Sequence, residues 1–342
     1  MQRLMLHGQA SVRWEDIDEP ALPGPGAALV KPIAIATCDL DVGMLRTGRF
    51  PIEVPYPFGH EGVVEVVAIG DDVRTVEPGD RAVVPFQISC GECEPCRRGR
   101  TGNCASHPVM STYGLGMMGG LGWGGLLADL AVVPHADAML VPIPAGIDPL
   151  VIASASDNIP DGYRAVGPQL IAEPGAEVFL VGGDAGTNSI GLYAVGFAVA
   201  LGASRVVYHD HSPERLGSAE ALGAEVMDGP TPRRAGRFPI TVDASGSPEG
   251  LRCAINSTAF DGMCTSTSVF LKDPPVPMFA MYSRCCTLHT GRVHARTNIP
   301  FVLDAVAKGF DPSIVTSAVV SRADAVEALE HPPLKLVIDC TV

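Results

Sequence analysis

The sequence predicts an α/β chain of two domains, one irregular and strand-rich, the other a doubly wound parallel sheet. Three observations predict it. The chain has 342 residues, more than one ordinary domain needs. Up to about residue 150 it reads as short β-branched runs broken by Gly and Pro. From about residue 175, short apolar strands alternate with helix-length segments, the pattern of a parallel sheet crossed by helices.

In the first part, residues 28–35, 62–69 and 81–85 read as strands, with Pro78-Gly79-Asp80 turning between the last two. No helix longer than a few turns is expected there. In the second part, residues 177–181 form a buried strand that runs into a Gly-rich turn. Residues 189–201 are apolar nearly all round, as in a helix packed under a sheet. Residues 204–210 are the next strand. Ser212 caps the following helix, with Pro213 at its first position and Gly223 just past its end. Strands at 224–228 and 240–244 continue the alternation, and Ser247-Pro248 repeats the cap-then-proline start. The tail, from about residue 296, reads as a helix ending at Gly309, a strand at 314–320, a short helix and a last strand at 335–340. It is too short for a third domain and should complete one of the others. The expected division is 1–150 with 296–342 for the strand-rich domain, and 151–295 for the parallel-sheet domain.

Composition narrows the function classes. The formal charge is −14, which repels a polyanion, so no nucleic-acid partner is expected. The short basic run Arg233, Arg234 and Arg237 reads as a solvated loop. There is no apolar run of about eighteen residues and no signal-peptide pattern at the N-terminus, so a soluble cytoplasmic protein with no membrane partner is expected.

Four of the ten cysteines, Cys90, Cys93, Cys96 and Cys104, form C-x2-C-x2-C-x7-C. Gly91, Gly99 and Gly102 let that loop fold back on itself. Four thiolates in one loop close a tetrahedral zinc site, which leaves no open position for chemistry and points to a structural role. Elsewhere, Cys38 follows an apolar strand and His60 lies in FGHEG. A thiolate and an imidazole on separate loops could supply two of the three protein ligands of an open, catalytic zinc; alone, the pair is a weak signal, since a lone His beside glycines is more often structural.

After the strand at 177–181 comes GGDAGTNSIGLY, with Gly182, Gly183, Gly186 and Gly191. Glycines before a helix N-terminus suit a phosphate-binding turn. The spacing is not G-x-G-x-x-G: counting back from Gly191, Asn188 takes the middle-glycine position, and the loop is longer than usual. Gly182, Gly183 and Gly186, with Asn188, Ser189 and Ile190 at the helix start, are the candidate pyrophosphate contacts.

In order along the chain stand Cys38 with Asp41, GHEG at 59–62, PGDR at 78–81, the four-cysteine lobe, and then the Gly-rich loop. In this set and order the chain resembles the zinc-containing medium-chain dehydrogenases of the alcohol dehydrogenase family over essentially its whole length. The resemblance implies a GroES-like domain and a Rossmann domain, with a nicotinamide in the cleft between them beside a catalytic zinc. It implies two zincs per subunit, one catalytic and one structural. Cys38 and His60 would be catalytic ligands, and Glu61 a carboxylate close behind the metal. The third ligand falls just before DGYRA. Asp157 takes that position, with Asp161 as its near competitor and helix capping as its alternative role.

Asp210, at the end of the strand 204–210, would accept hydrogen bonds from the adenosine ribose, and Arg215 would lie near the adenosine. A carboxylate there repels a 2′-phosphate, so NAD is expected over NADP. The implied function is a zinc-dependent alcohol dehydrogenase, or aldehyde or ketone reductase, acting on a small-molecule alcohol or carbonyl. Two alternatives are a zinc-free, quinone-reductase-like oxidoreductase and a non-enzymatic zinc-binding protein of the same fold. Family members are dimers or tetramers, and strands near residues 281–291 are candidates for pairing across an interface.

The chain departs from the family at two positions. Leu40 stands where a proton-relaying Ser or Thr is usual, and Gly43 where many members have His. Asp39 or ordered water would then carry the proton. Leu40 and Trp123 suggest an apolar pocket, and the Met- and Gly-rich segment 110–125 is a candidate mobile loop.

Overall fold

A computed structural model describes residues 1–48, 53–115 and 120–342. Residues 116–119, the middle of the candidate mobile loop, lie outside the described residues. The chain divides into two units. Met1–Pro160, Val293–Ala307 and Thr316–Val342 form the first; Asp161–Arg292 and Lys308–Val315 form the second.

The first unit is β-rich. Its larger sheet runs in the order Ala318–Ser321, Leu336–Asp339, Ala28–Ala36, Glu61–Ile69, Arg81–Val84 and Val141–Pro142, and Ala131–Val133 also pairs with Ala28–Ala36. A smaller sheet joins Ser11–Asp16, Gln2–Gly8 and Tyr56–Pro57. Buried side chains from both, among them Leu4, Tyr56 and Val64, meet Phe58, Tyr113 and Leu127 from the connecting segments in one apolar core. One helix of nine residues, Asp39–Thr47, leaves the end of a core strand.

The register of the larger sheet fixes the site. Ala28–Ala36 and Glu61–Ile69 are antiparallel neighbours with Ala36 opposite Glu61, and Val337 lies opposite Ala36 on the other side. The segments just outside these strands therefore share one sheet edge. Cys38, His60 and Lys335 sit on those segments.

The second unit is a six-stranded sheet in the order Glu225–Asp228, Val206–Asp210, Val178–Val181, Phe238–Asp243, Thr258–Ser266 and Thr287–Thr290, with every neighbouring pair parallel. The strand order reverses between Val178–Val181 and Phe238–Asp243, the switch point where doubly wound sheets bind ligands. Val178–Val181 is buried throughout, and the helix Asn188–Ala200 is buried from Asn188 to Ala198. Ser212 and Ser247 accept from the backbone N–H groups of Arg215 and Gly250 and cap their helices, each with Pro at the start. Such caps contribute about 1 kcal/mol each.

Three details differ from the sequence reading. Residues 151–160 belong to the first unit, because the Ser156 hydroxyl donates to the Gly62 carbonyl at 2.9 Å and accepts from its N–H at 2.7 Å. Residues 308–315 belong to the second, where Phe310 packs on Phe197 with ring centroids 4.6 Å apart. The strand expected at 314–320 is a 3₁₀ turn, Pro312–Val315, followed by a strand at Ala318–Ser321. The Asp311 carboxylate turns the chain there by accepting from the N–H and hydroxyl of Ser313.

Candidate metal centres and cofactor loop

Cys38 ends the loop after Ala28–Ala36 and caps the helix Asp39–Thr47. Its Sγ accepts from the Asp41 N–H at 3.4 Å, and the Asp41 carboxylate accepts from the Cys38 N–H at 3.0 Å. This reciprocal box holds the thiol in one orientation. His60 precedes the neighbouring strand. Its Nε2 lies 3.5 Å from Asp157 Oδ2 and its Nδ1 3.7 Å from Asp41 Oδ2. Cys38, His60, Glu61 and Asp157 each bring a ligand atom within 4.8 Å of the others.

Ser156 positions Asp157. Besides its bonds to Gly62, its carbonyl accepts from the Phe86 N–H at 3.2 Å, which ties the turn Ala153–Ser156 to the sheet. Asp161 belongs elsewhere: Arg164 Nε donates to its carboxylate at 2.6 Å, and it is not part of the cluster.

The donor set fits zinc. A thiolate, an imidazole and a carboxylate are its ordinary ligands, and three of them leave a fourth position open. His60 is fully buried, yet neither ring nitrogen has a hydrogen-bond partner. Buried imidazoles are seldom left so, and a metal ion answers the vacancy of partners. The surrounding field agrees. Burial opposes a charge on His60, but Asp41 and Cys38 overcome it and raise its pKa well above the ordinary value. Burial pushes the Cys38 thiol up to about 12, so a cation is needed to hold it as thiolate at neutral pH.

Glu61 has a partner that sequence reasoning missed. Lys335, fully buried, places its Nζ 3.3 Å from both Glu61 carboxylate oxygens. The same ammonium donates to the Thr37 carbonyl at 2.5 Å and to Asn158 Oδ1 at 2.8 Å. Burial raises Glu61 to about 8 against the pull of Lys335. The only signal in the sequence was a lysine set directly before the apolar run Leu336-Val337-Ile338.

Leu40 packs with Phe86, Leu115, Val293 and Ala295 in a small apolar cluster. The Phe86 ring stands 5.9 Å from that of His60, so this cluster borders the metal position. Trp123 lies elsewhere, edge-on to His107 at 5.2 Å and against the main core.

In the lobe, Cys90, Cys93, Cys96 and Cys104 bring their sulfurs together. Backbone N–H groups point at them: Cys93 N–H donates to Cys90 Sγ at 3.4 Å, Cys90 N–H to Cys104 Sγ at 3.4 Å and Ala105 N–H to Cys93 Sγ at 3.3 Å. Such donors stabilise thiolates, and those from Ala105 and Cys96 hold the Cys93 thiol down to about 6. Gly91 turns the loop with φ +77°, and a β-carbon there would meet Ala138 at 2.7 Å.

In the second unit, the loop after Val178–Val181 packs on the turn after Phe238–Asp243. A β-carbon at Gly186 would collide with the Ala244 carbonyl, and one at Gly183 would meet that of Ser245 at 2.9 Å. Asn188, Ser189 and Ile190 form the first turn of the helix and are buried, with Asn188 Oδ1 unpartnered. Thr187, at the helix N-cap, makes no side-chain cap bond. Asp210 is fully buried and held from within the protein, by Arg215, Tyr208 and the N–H groups of His211 and Ser212.

Residues 24–145 match the alcohol dehydrogenase GroES-like domain family. The "probable zinc-binding alcohol dehydrogenase" of Mycobacterium tuberculosis is 29% identical over 90% of this chain and 79% of its own length. A medium chain reductase/dehydrogenase of an Acremonium species is 30% identical over 67% of this chain and 76% of its own. The chain spans 58% of the length of another relative, formaldehyde dismutase of Pseudomonas putida. Among solved structures, alcohol dehydrogenase TADH of a Thermus species superposes with a TM-score of 0.87 at 27% identity, covering 99% of both chains. With the GroES-like domain, the six-stranded parallel sheet and both cysteine-bearing clusters in place, the chain belongs to the zinc-containing medium-chain dehydrogenase/reductase family of alcohol dehydrogenases.

Proposed function

We propose that the protein is a zinc-dependent, NAD-linked dehydrogenase that moves hydride between an alcohol or carbonyl compound and the nicotinamide. The observation that carries the reading is the buried convergence of Cys38, His60 and Asp157 around unpartnered imidazole nitrogens. These three would hold the catalytic ion. When bound, zinc polarises the oxygen of an alcohol or carbonyl. The chain's own residues do the rest. With the ion displacing their protons, Cys38 would supply a thiolate and His60 a neutral donor, beside the Asp157 carboxylate. Asp41 orients Cys38, and Ser156 holds Asp157 in reach.

Glu61 stands behind the ligands, restrained by Lys335. Leu40, Phe86 and Leu115 make the neighbouring wall apolar and favour substrates with an apolar side. With Leu40 in place of a hydroxyl, the side chain two residues after Cys38 cannot relay the substrate proton. The N-terminal amides of the helix Asn188–Ala200 would hold the pyrophosphate, an anion that such an end attracts.

The four-cysteine lobe would hold a second, structural zinc. Homo-oligomer formation is proposed through the edge strand Thr287–Thr290 and the helix Met278–Tyr282, which has no buried residue and exposes Phe279 and Tyr282 by about 80%. A panel of alcohols and aldehydes, scored by NADH absorbance before and after chelation, tests the activity. Turnover that survives removal of all zinc would favour the zinc-free alternative.

A further inference from the structure

Asp210 stands at the end of its strand, where a carboxylate would ordinarily meet the adenosine ribose. Here its oxygens have other partners. Oδ1 accepts from the His211 N–H at 2.7 Å, the Ser212 N–H at 3.0 Å and Arg215 at 2.6 Å. Oδ2 accepts from the Tyr208 hydroxyl at 2.8 Å and Arg215 Nε at 2.7 Å. A carboxylate has about four lone-pair sites, and five donors fill them. The group is also fully buried. It has neither exposure nor acceptor capacity left for a ribose hydroxyl.

A second carboxylate stands at the same sheet end. Val178–Val181 and Val206–Asp210 are parallel neighbours with Val181 opposite His209, so the residues after each strand lie side by side. Asp184, in the Gly-rich loop, has a side chain 76% exposed. Its carboxylate accepts from His211 Nε2 at 2.9 Å and from the Arg215 guanidinium at 3.0 Å. Arg215 is thus clamped between buried Asp210 and exposed Asp184, and Asp184 pairs with that guanidinium and with the half-exposed imidazole of His211, both of which would otherwise be open to an incoming anion. Both are ordinary phosphate-binding groups.

We propose that Asp184, and not Asp210, determines the choice of dinucleotide: its carboxylate accepts from the ribose hydroxyls of NAD and shields Arg215 and His211 from the 2′-phosphate of NADP. The inference rests on the dinucleotide-binding reading of the loop. Asp210 is then a positioning residue that fixes Arg215. With Asp184 present, the most exposed group of the cluster is an anion, and a 2′-phosphate meets repulsion. Without it, the same sheet end offers the Arg215 guanidinium, anchored by buried Asp210, and the His211 ring as donors.

The test is equilibrium binding of NAD, NADP, 5′-AMP and adenosine 2′,5′-bisphosphate by calorimetry, on the wild-type chain and on Asp184→Asn. Asp184 is exposed and outside the strands, so the variant should fold; thermal melting checks this. The expected result is a wild type that prefers NAD and 5′-AMP. In the variant, the NADP-to-NAD affinity ratio should rise by about tenfold or more, and the same change should appear with the adenosine fragments. Adding Arg215→Gln to Asp184→Asn should cancel the gain. An unchanged ratio in Asp184→Asn, or a wild type that already prefers NADP, overturns the proposal while leaving the dinucleotide site standing. A wild type that binds none of the four overturns the dinucleotide reading itself.

Discussion

Asp157 and Asp161 lie one helical turn apart and have different partners. The first faces His60; the second is held by Arg164. The sequence favoured Asp157 as the third ligand, with Asp161, the first residue of DGYRA, as a near competitor. Ser156 separates them, since its two bonds to Gly62 bring only the 154–157 turn to the sheet edge. Asp157→Ala should therefore lose about one zinc per chain and nearly all turnover, while Asp161→Ala keeps both. Elemental analysis beside an activity assay decides it, and a metal lost only from the Asp161 variant would reverse the assignment.

Asp210 belongs to the same scale. Burial alone would raise its pKa, but Arg215 and the Ser212 N–H more than offset this and hold it below the ordinary value. An unfolded Asp titrates near about 3.9, so the stabilisation is complete above that pH and is lost as pH falls through the lower folded value. Asp210→Asn leaves Arg215 without its buried partner and should cost about 3 kcal/mol near neutral pH. The gap between denaturant melts of the two proteins should narrow as pH falls below the ordinary Asp range; a gap that widens in acid would contradict the pairing.

At the scale of elements, periodicity and caps were legible because their causes are local. The apolar run at 189–201 and the Ser-Pro starts at 212 and 247 appear as the helices Asn188–Ala200, Pro213–Ala221 and Pro248–Ser257. Lys335 was not legible as a site residue. It reaches Glu61 only through the antiparallel pairing of Leu336–Asp339 with Ala28–Ala36, a contact between the far ends of the chain. Nor could the sequence show that five donors fill Asp210.

The cysteine lobe was legible for the opposite reason, since its four donors lie within fifteen consecutive positions, 90–104. Cys104→Ser should release one zinc and lower the melting temperature by about 5 °C or more, because a structural zinc contributes directly to folding. The Cys38 site lies on other loops of the sheet edge and should keep its metal. A variant with both zincs and an unchanged melt would remove the structural role.

At the scale of the whole molecule, the pattern of parallel strands after residue 175 and the irregular strands before it both correspond to a unit of the structure. The exchange of residues 151–160 and 308–315 between units was hidden because it depends on tertiary contacts remote in sequence, among them Ser156 on Gly62 and Phe310 on Phe197. The exposed ring of Phe279 beside an edge strand is an aggregation hazard for a monomer and an asset for an oligomer. Light scattering should give a dimer or tetramer for the wild type and a smaller species for Phe279→Glu. A wild-type monomer would end that reading.

The central claim is that the β-rich unit holds a zinc ion in the Cys38, His60 and Asp157 cluster. Anomalous diffraction from a crystal of the protein, recorded on both sides of the zinc absorption edge, tests it most directly. Two peaks per chain are expected, one among the four lobe sulfurs and one within bonding distance of Cys38 Sγ, an His60 ring nitrogen and an Asp157 carboxylate oxygen, at about 2.0–2.3 Å. A single peak in the lobe, with nothing between Cys38, His60 and Asp157 in protein purified with added zinc, would contradict the account.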